Sequence, residues 1–459
     1  MSQKKTSFFS CTQCQYQSPK WIGCCSHCKT WGSMEEMKAE AESTSGSLFN
    51  KKKSTSFQTQ KISTTYQFET IVTETKGRIK TGIGEWDRVM GGGLMTASFI
   101  VLTGEPGIGK STLLLAVCQK LSEKNSILFI STEESLSQIK DRAVRLGCEF
   151  GTNAHFADNA DLDEIIATTQ NLNPTILIID SIQNCYLTES SSIPGSIGQL
   201  KESTFRLMRL AKDYGITVIV TGHITKEGII AGPKTMEHMV DAVFYLQAED
   251  RFDTRILRSV KNRFGTINEL GFFEMTGHGL TEVSNINHYL LHDFANIPGS
   301  SIVATIEGSR PLLLELQALV ISSKLSMPQR VISGIDPKQV ILIAAILEKY
   351  LHITLSAHDI FFKVGGGIKI KENGCDLAIA LTLLSSFFQK ELPAGFVAIG
   401  EISLTGYIRP INQATVLIKE AEKFGLNVIM IAHSQTIEHS KKITIKKIKH
   451  VYELLLLFE

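Results

Sequence analysis

The stretch GEPGIGKS at residues 104–111 limits what this chain can fold into more than any other part of it. Gly104, Gly107 and Gly109 let a backbone wrap closely around phosphate oxygens with its N–H groups turned inward. The helix that follows offers its positive N-terminus to the same anion. Glu105, Pro106 and Ile108 complete the loop, Lys110 reaches the β- and γ-phosphates, and the Ser111 hydroxyl is a magnesium ligand. Such a loop works only between a strand and a helix. The run before it, FIVLT, reads as a strand and the run after it, TLLLAVCQKL, as a helix. The chain must therefore build a sheet with a strand end that carries a nucleotide, expected to be ATP with Mg2+.

The flanking sequence fits that demand. Residues 67–285 alternate apolar runs with helical periods, the pattern of a doubly wound, mainly parallel sheet with helices on both faces. Strands are expected at 99–103, 127–131, 176–180, 217–221 and 243–246. The run ILIID ends in Asp180, placed to hold magnesium through water. After the strand 127–131 come Thr132, Glu133 and Glu134. Glu133 is the expected carboxylate that polarises the attacking water, with Glu134 the alternative. His223, just past the strand 217–221, is a candidate sensor of the γ-phosphate.

Five of the nine cysteines fall within residues 1–33. Cys11 and Cys14 form one CxxC, and Cys25 and Cys28 form another. Each turn points two thiolates at one cation, and two turns complete a tetrahedral zinc ribbon with no position left open for chemistry. Cys24 and His27 lie close by but outside the paired spacing. Trp21 and Trp31 flank the second turn, where they could cover the metal. Residues 34–66 are rich in Ser, Thr, Lys and Glu and read as a flexible linker. Residues 290–459 begin a second alternating pattern. No apolar run reaches the ~18 residues of a membrane span, and the N-terminus lacks the apolar core of a secretory signal, so the chain is expected to be cytoplasmic. With 47 basic and 46 acidic residues, net charge neither demands nor excludes a nucleic-acid partner.

Together these features resemble the RecA-like ATPase core and, over nearly the whole chain, the RadA (Sms) family of bacterial DNA-repair proteins. The likeness rests on PKWIGCCSHC, the phosphate loop, STEESLSQIKDRAVRLG, GHITKEGIIAGP and KNRFG. In KNRFG, Lys261 and Arg263 lie two apart near a strand end, so both side chains should point the same way. They match the KxR pattern of ring helicases similar to DnaB, in which the pair reaches a neighbour's γ-phosphate as an arginine finger does. The resemblance implies a homo-hexameric ring with ATP at the subunit boundaries and single-stranded or branched DNA in the middle. It further implies a helicase activity in recombination and branch migration, the recombinase RecA as a partner, and replication or repair proteins bound through the ribbon. Residues 184–198 and 226–234 are the expected channel loops. Lys226 and Lys234 would grip phosphates in the second, whereas the first has no basic residue before Lys201. Thr132 stands where relatives usually have glycine. A regulatory ATPase that switches assembly without moving along DNA is the alternative.

Residues 290–459 resemble the proteolytic domain of Lon through GGGIKIKENGCDLAIALTLLSS and GEISLTGYIRPI. Lon uses a serine–lysine dyad. Here the matching positions hold Gly374 and Thr415, neither able to act as nucleophile or amine base. Ser385, Ser386 and Lys419 fall at non-matching positions. A proteolytically inactive α+β scaffold is expected, and an ATP-dependent protease is the remote alternative. Lys363, Lys369 and Lys371, with Lys441, Lys442, Lys446, Lys447 and Lys449, form basic stripes that suit duplex DNA or a solvated face equally.

Overall fold

The computed structural model describes residues 7–12, 17–18, 20–21, 23–24, 28, 30–31, 34–38, 68, 77–188, 193–223, 237–248, 254–267, 269–283, 285–437 and 443–459. They belong to two compact units, 1–73 and 74–459.

In the first unit, β1 (Ser7–Cys11) pairs antiparallel with β2 (Gln17–Ser18) and with β3 (Met34–Lys38). Strand β3 corrects the linker boundary, because residues 34–38 belong to the ribbon's sheet. Its MEEMK sequence reads as linker because a charged segment is tolerated on the edge of a small sheet, where only one side of the strand is paired. The remaining linker residues, 39–66, lie outside the described residues.

The second unit begins with the short helix α1 (Gly84–Val89) and then builds the nucleotide sheet. Its first strand, β4 (Phe99–Gly104), leads through the phosphate loop into α2 (Lys110–Ser122). There follow β5 (Ile127–Ser131), α3 (Leu136–Arg145), β6 (Ala154–Asp158), α4 (Leu162–Leu172) and β7 (Ile176–Asp180). Next come α5 (Ile197–Tyr214), β8 (Thr217–His223) and β9 (Ala242–Ala248). An antiparallel meander, β10 (Thr254–Asn262), β11 (Leu270–Thr276) and β12 (Gly279–Glu282), ends the nine-stranded sheet. Its order is β12-β11-β10-β9-β4-β8-β7-β5-β6, and the run from β9 to β6 is parallel.

Burial on both faces explains why the central strands read as unbroken apolar runs. In β4, Ile100 and Leu102 join the core under α2, while Phe99 and Val101 join the opposite core with Leu162 and Leu207 of α4 and α5. Phe129 against Leu128 in β5, and Ile178 against Leu177 in β7, divide in the same way. All five expected strands are present, with β4, β8 and β9 running further than the sequence indicates.

After α6 (Ile286–Leu290) come β13 (Ser300–Glu307), β14 (Arg310–Ser322), β15 (Arg330–Ser333), α7 (Pro337–Leu351), β16 (His358–Val364) and α8 (Asp376–Phe388). The chain closes with β17 (Phe396–Ala398), the hairpin β18 (Glu401–Ile402) and β19 (Ile408–Arg409), α9 (Ala414–Phe424), β20 (Val428–Ala432) and β21 (Thr444–Ile448). Seven of these strands form a mixed sheet with α7 and α8 over one core and α9 over another. Ile256, Leu270 and Phe272 of the meander share the first of these cores with Val303 and Leu312, so the two sheets meet through buried apolar surface.

Candidate functional site

The phosphate loop turns at the C-terminal end of β4, where the sheet leaves its carbonyls and N–H groups free for a ligand. Gly104 has no alternative there, because a Cβ would stand 2.4 Å from the Leu246 carbonyl oxygen of β9. Gly109 caps α2 with a φ of 109°, a left-handed conformation that side chains resist. Lys110 is buried, and its Nζ donates to the carbonyls of Gly104 (3.0 Å) and Glu105 (2.9 Å). Burial lowers its pKa from the ordinary lysine value, while the charges of Asp180 and Glu133 act to raise it. Ser111 begins the helix beside it, half-buried.

Asp180 ends β7 and accepts a 2.5 Å hydrogen bond from the Thr221 hydroxyl of neighbouring β8. The two acids after β5 divide by surroundings. Glu133 accepts from the Ser181 hydroxyl at 2.5 Å and acts electrostatically on Lys110, which places it beside the phosphate loop. Glu134 is engaged by Arg142 on α3. Thr132 has a positive use: its hydroxyl accepts from the Ser181 N–H and donates to the Ser181 carbonyl, both at 2.8 Å. This ties the end of β5 to the end of β7. His223 stands opposite Gly104 in the β4–β8 register, which puts its backbone at the site, but its side chain lies outside the described residues.

Sequence reasoning missed Arg255. Its Nε donates to the Ile108 carbonyl at 3.2 Å, so the first residues of β10 hold the phosphate loop. A lone arginine after a polar segment gives no motif signal. Lys261 and Arg263 lie at the other end of the same strand. Strand β10 runs antiparallel to β9, with Arg255 opposite Ala248 at the phosphate end and Asn262 opposite Ala242 at the far end. Six residues at about 3.4 Å each separate Arg255 from Lys261 by roughly 20 Å, several times the length of a lysine side chain.

Strand alternation does not relate the two side chains of this pair. The register with β9 shifts between Ser259 and Lys261, and the strand ends at Asn262, so Arg263 lies in the turn. Both side chains nevertheless face residues 237–241. The Lys261 ammonium donates to the Glu237 carbonyl, and Arg263 pairs with Asp241 at 3.3 Å. Asp241 is a buried carboxylate that also takes Lys212 at 2.8 Å and the Phe99 N–H at 3.0 Å. Partial burial, and after it the Arg263 charge, lowers the Lys261 pKa.

The loops expected to meet DNA are only partly described. Residues 226–234 lie outside the described residues, as do 189–192. Residues 185–188 are not a free loop. Cys185 and Leu187 are buried, Tyr186 N–H donates to the Ala160 carbonyl at 2.9 Å, and the Thr188 hydroxyl donates to Asp161 at 2.7 Å. Asn184 closes a 3-10 turn and Ser196 caps α5, which narrows the free stretch further.

In the ribbon, Cys11 and Cys28 place their sulfurs 3.6 Å apart. Two thiolates about 2.3 Å from one tetrahedral zinc stand about 3.8 Å apart, so the pair fits a shared metal and is too far apart for a disulfide. Cys14 and Cys25 lie outside the described residues. Trp21 and Trp31 do not bury themselves as a metal cover. They are 62% and 81% exposed, with their rings beside Gly23.

In the C-terminal domain, Gly374 lies in a 3-10 turn before α8, and Thr415 in the first turn of α9. The nearby serines have other partners. Ser385 Oγ donates to the Lys390 carbonyl and accepts from Gly299 N–H, and Ser386 Oγ accepts from Val320 N–H. Lys419 is on the exposed side of α9. The basic stripes are less continuous than they read. Lys369 and Lys371 are exposed, with buried Ile370 between them in the chain, and Lys363 is on β16. Lys446 and Lys447 are consecutive on β21 and so face opposite ways. Lys449 follows that strand, exposed, and Lys441 and Lys442 lie outside the described residues.

Three family models match the chain: an AAA domain over residues 64–228, the ChlI subunit of Mg-chelatase over 344–435, and a rubredoxin metal-binding domain over 9–36. With the geometry above, they define the class as a P-loop ATPase with a metal-ribbon N-terminus and a Lon- and ChlI-like C-terminal domain. The chain is 42% identical over 431 residues to the DNA repair protein RadA of Bacillus subtilis, covering 93% of each. It is 41% identical to RadA of Listeria monocytogenes, over 93% of this chain and 92% of the relative. RadA of Helicobacter pylori is also 41% identical, over 92% and 93%. The chain belongs to the RadA family of DNA repair proteins. Among the described residues, no helix is long and apolar enough to cross a membrane.

Proposed function

We propose that the chain is a DNA-dependent ATPase of recombinational repair. It works as a homo-hexameric helicase that moves along single-stranded DNA and drives branch migration at strand-exchange intermediates. The observation that carries this reading is the position of Lys261 and Arg263. They are too far from the chain's own phosphate loop to serve it, and each is held in place, Lys261 near the end of β10 and Arg263 in the turn that follows. In a head-to-tail ring that turn meets the phosphate loop of the next subunit, and the pair compensates the charge that develops on the transferred phosphoryl group.

Within one subunit, Gly104 to Ser111 cradle the phosphates, with Lys110 on the β- and γ-oxygens. Ser111 and Asp180 are the residues that would hold Mg2+, which would supply charge neutralisation at the phosphates. Glu133 orients and polarises the attacking water, and the Thr132–Ser181 clamp keeps Glu133 and Asp180 on adjacent strand ends. Thr221 fixes the Asp180 rotamer. His223 is the candidate sensor of the γ-phosphate, and the segments 184–198 and 226–234 are the candidate contacts with DNA. Cys11, Cys14, Cys25 and Cys28 hold zinc, which leaves the ribbon free to contact a repair or replication protein. The recombinase RecA is the partner to test first.

The test is hydrolysis with and without single-stranded DNA. Lys110→Ala should abolish turnover with the fold intact, and single-stranded DNA should bind and stimulate the unaltered protein. A protein that hydrolyses ATP yet neither binds single-stranded DNA nor responds to it would overturn the motor reading.

A further inference from the structure

The Lys261/Arg263 turn does not stand free. Its Phe264 carbonyl accepts from the Arg78 guanidinium, which also donates to the carbonyls of Met90 and Gly93, both at 3.2 Å. Asn262 Nδ2 donates to the Val89 carbonyl at 3.4 Å. The glycines meet backbone to backbone: a Cβ on Gly91 would stand 3.1 Å from the Gly265 Cα. From this side the turn is held by Val89 at the C-terminal end of α1, by Gly91, and by Arg78, which is itself tied to the Met90 and Gly93 carbonyls.

The other end of α1 is fixed by a different domain. Glu85, in the first turn of α1, accepts from Arg310 Nη1 at 2.6 Å, and Arg310 is the first residue of β14 in the C-terminal domain. Both side chains are about nine-tenths buried. The same Glu85 oxygen accepts the Phe272 N–H of β11 at 2.9 Å, and the Arg310 guanidinium lies over the Phe272 ring. Glu282 of β12 receives the Glu85 N–H at 3.1 Å. Helix α1 has six residues, about 9 Å of length, and a helix that short cannot bend between its ends. A shift of Arg310 is thus delivered to the carbonyls that hold Arg78 and Asn262.

We propose that the Arg310–Glu85 pair makes the C-terminal domain a positioning element for the Lys261/Arg263 turn, with Arg310 and Glu85 as positioning residues for hydrolysis in the neighbouring subunit. This rests on the reading that the turn acts across a subunit boundary. It gives the proteolytically inert domain a task in the ATPase cycle. A domain that holds the turn can set how well one subunit completes the site of the next.

The experiment uses the full-length chain carrying E85Q and R310M together. The double change removes both buried charges, so neither is left unpaired, and the amide oxygen introduced by E85Q can still accept the Phe272 N–H. The variant should assemble, bind ATP with unchanged affinity and keep its KM, while kcat falls about ten- to a hundredfold. Mixing it with Lys110→Ala subunits, which have no working site but an intact turn, should restore activity. In an equimolar random ring about a quarter of the interfaces join a competent site to an intact turn, and Arg263→Ala mixed with Lys110→Ala should recover to the same level. Wild-type turnover by E85Q/R310M overturns the proposal. So does a loss that Lys110→Ala cannot rescue while it rescues Arg263→Ala. If Arg263→Ala itself is not rescued, the cross-boundary reading fails and the proposal with it. Should the double variant not assemble, R310K keeps the charge but loses the fork, and the same rescue decides.

Discussion

Asp376→Asn is expected to stabilise the protein at neutral pH and to lose that advantage in acid. Asp376 opens α8 and is 5% exposed. Its carboxylate accepts the Ile402 N–H at 3.0 Å and Gln339 Nε2 at 2.7 Å. Burial pushes its pKa up to about 6 from an ordinary 3.8; the two hydrogen bonds act against that rise and Glu401 adds to it. The folded state therefore holds this proton more tightly than the unfolded chain. Its contribution is fully present below pH 3.8, falls between there and pH 6, and stays at its lowest above that. At about 1.4 kcal/mol per pH unit, ionisation costs the folded state roughly 2–3 kcal/mol at pH 7.5. Asparagine keeps an oxygen for the Ile402 N–H, and the Gln339 amide can turn over to accept from its new NH2 group. Thermal unfolding of the full chain between pH 4 and pH 8 measures the difference. The variant should melt a few degrees higher at pH 7.5 and level with the parent near pH 4. A variant that is less stable by the same margin at every pH would refute the reasoning.

Two further outcomes follow from the sites. Thr132→Val keeps the shape but removes both hydrogen bonds to Ser181, which is fully buried. The unsatisfied groups cost the fold about 2–4 kcal/mol, so the variant should melt several degrees lower, and kcat should fall because the ends of β5 and β7 are no longer tied, with ATP affinity little changed in an equilibrium binding assay; an unchanged melting temperature would contradict the clamp. For the ribbon, a thiol-specific mercurial should release about one zinc per chain, and Cys28→Ser should abolish that release while ATP binding by residues 74–459 persists; unchanged release from Cys28→Ser would contradict the assignment.

The nucleotide site is legible because its chemistry is contiguous. The eight residues proposed to hold phosphate, 104–111, are consecutive, and the strand before them, buried on both faces, announces itself as an apolar run. Asp180 and Glu133 can be proposed from the sequence because Asp180 ends such a run and Glu133 comes two residues after another. What sequence does not show is assembled across the sheet. Asp241 gathers Lys212, Arg263 and the Phe99 N–H from elements far apart in the chain, and Arg78 reaches Phe264 across 186 positions. Neither residue has a local pattern. The ribbon's third strand is hidden for the opposite reason, since an edge strand can be charged and still pair. Strand periodicity also misdescribes KNRFG, because a register shift and a strand end intervene between Ser259 and Arg263.

Each ATP site is proposed to be completed by Lys261 and Arg263 of another subunit. This is tested most directly by mixing two inactive variants of the full-length protein, Lys110→Ala and Arg263→Ala, and measuring hydrolysis. Lys110→Ala contributes intact turns and Arg263→Ala contributes intact phosphate loops. A shared site predicts that activity appears on mixing, at about a quarter of the unaltered protein's rate at equal proportions. A mixture as inactive as its components would contradict the account, because it would mean that both halves of the site must come from one chain.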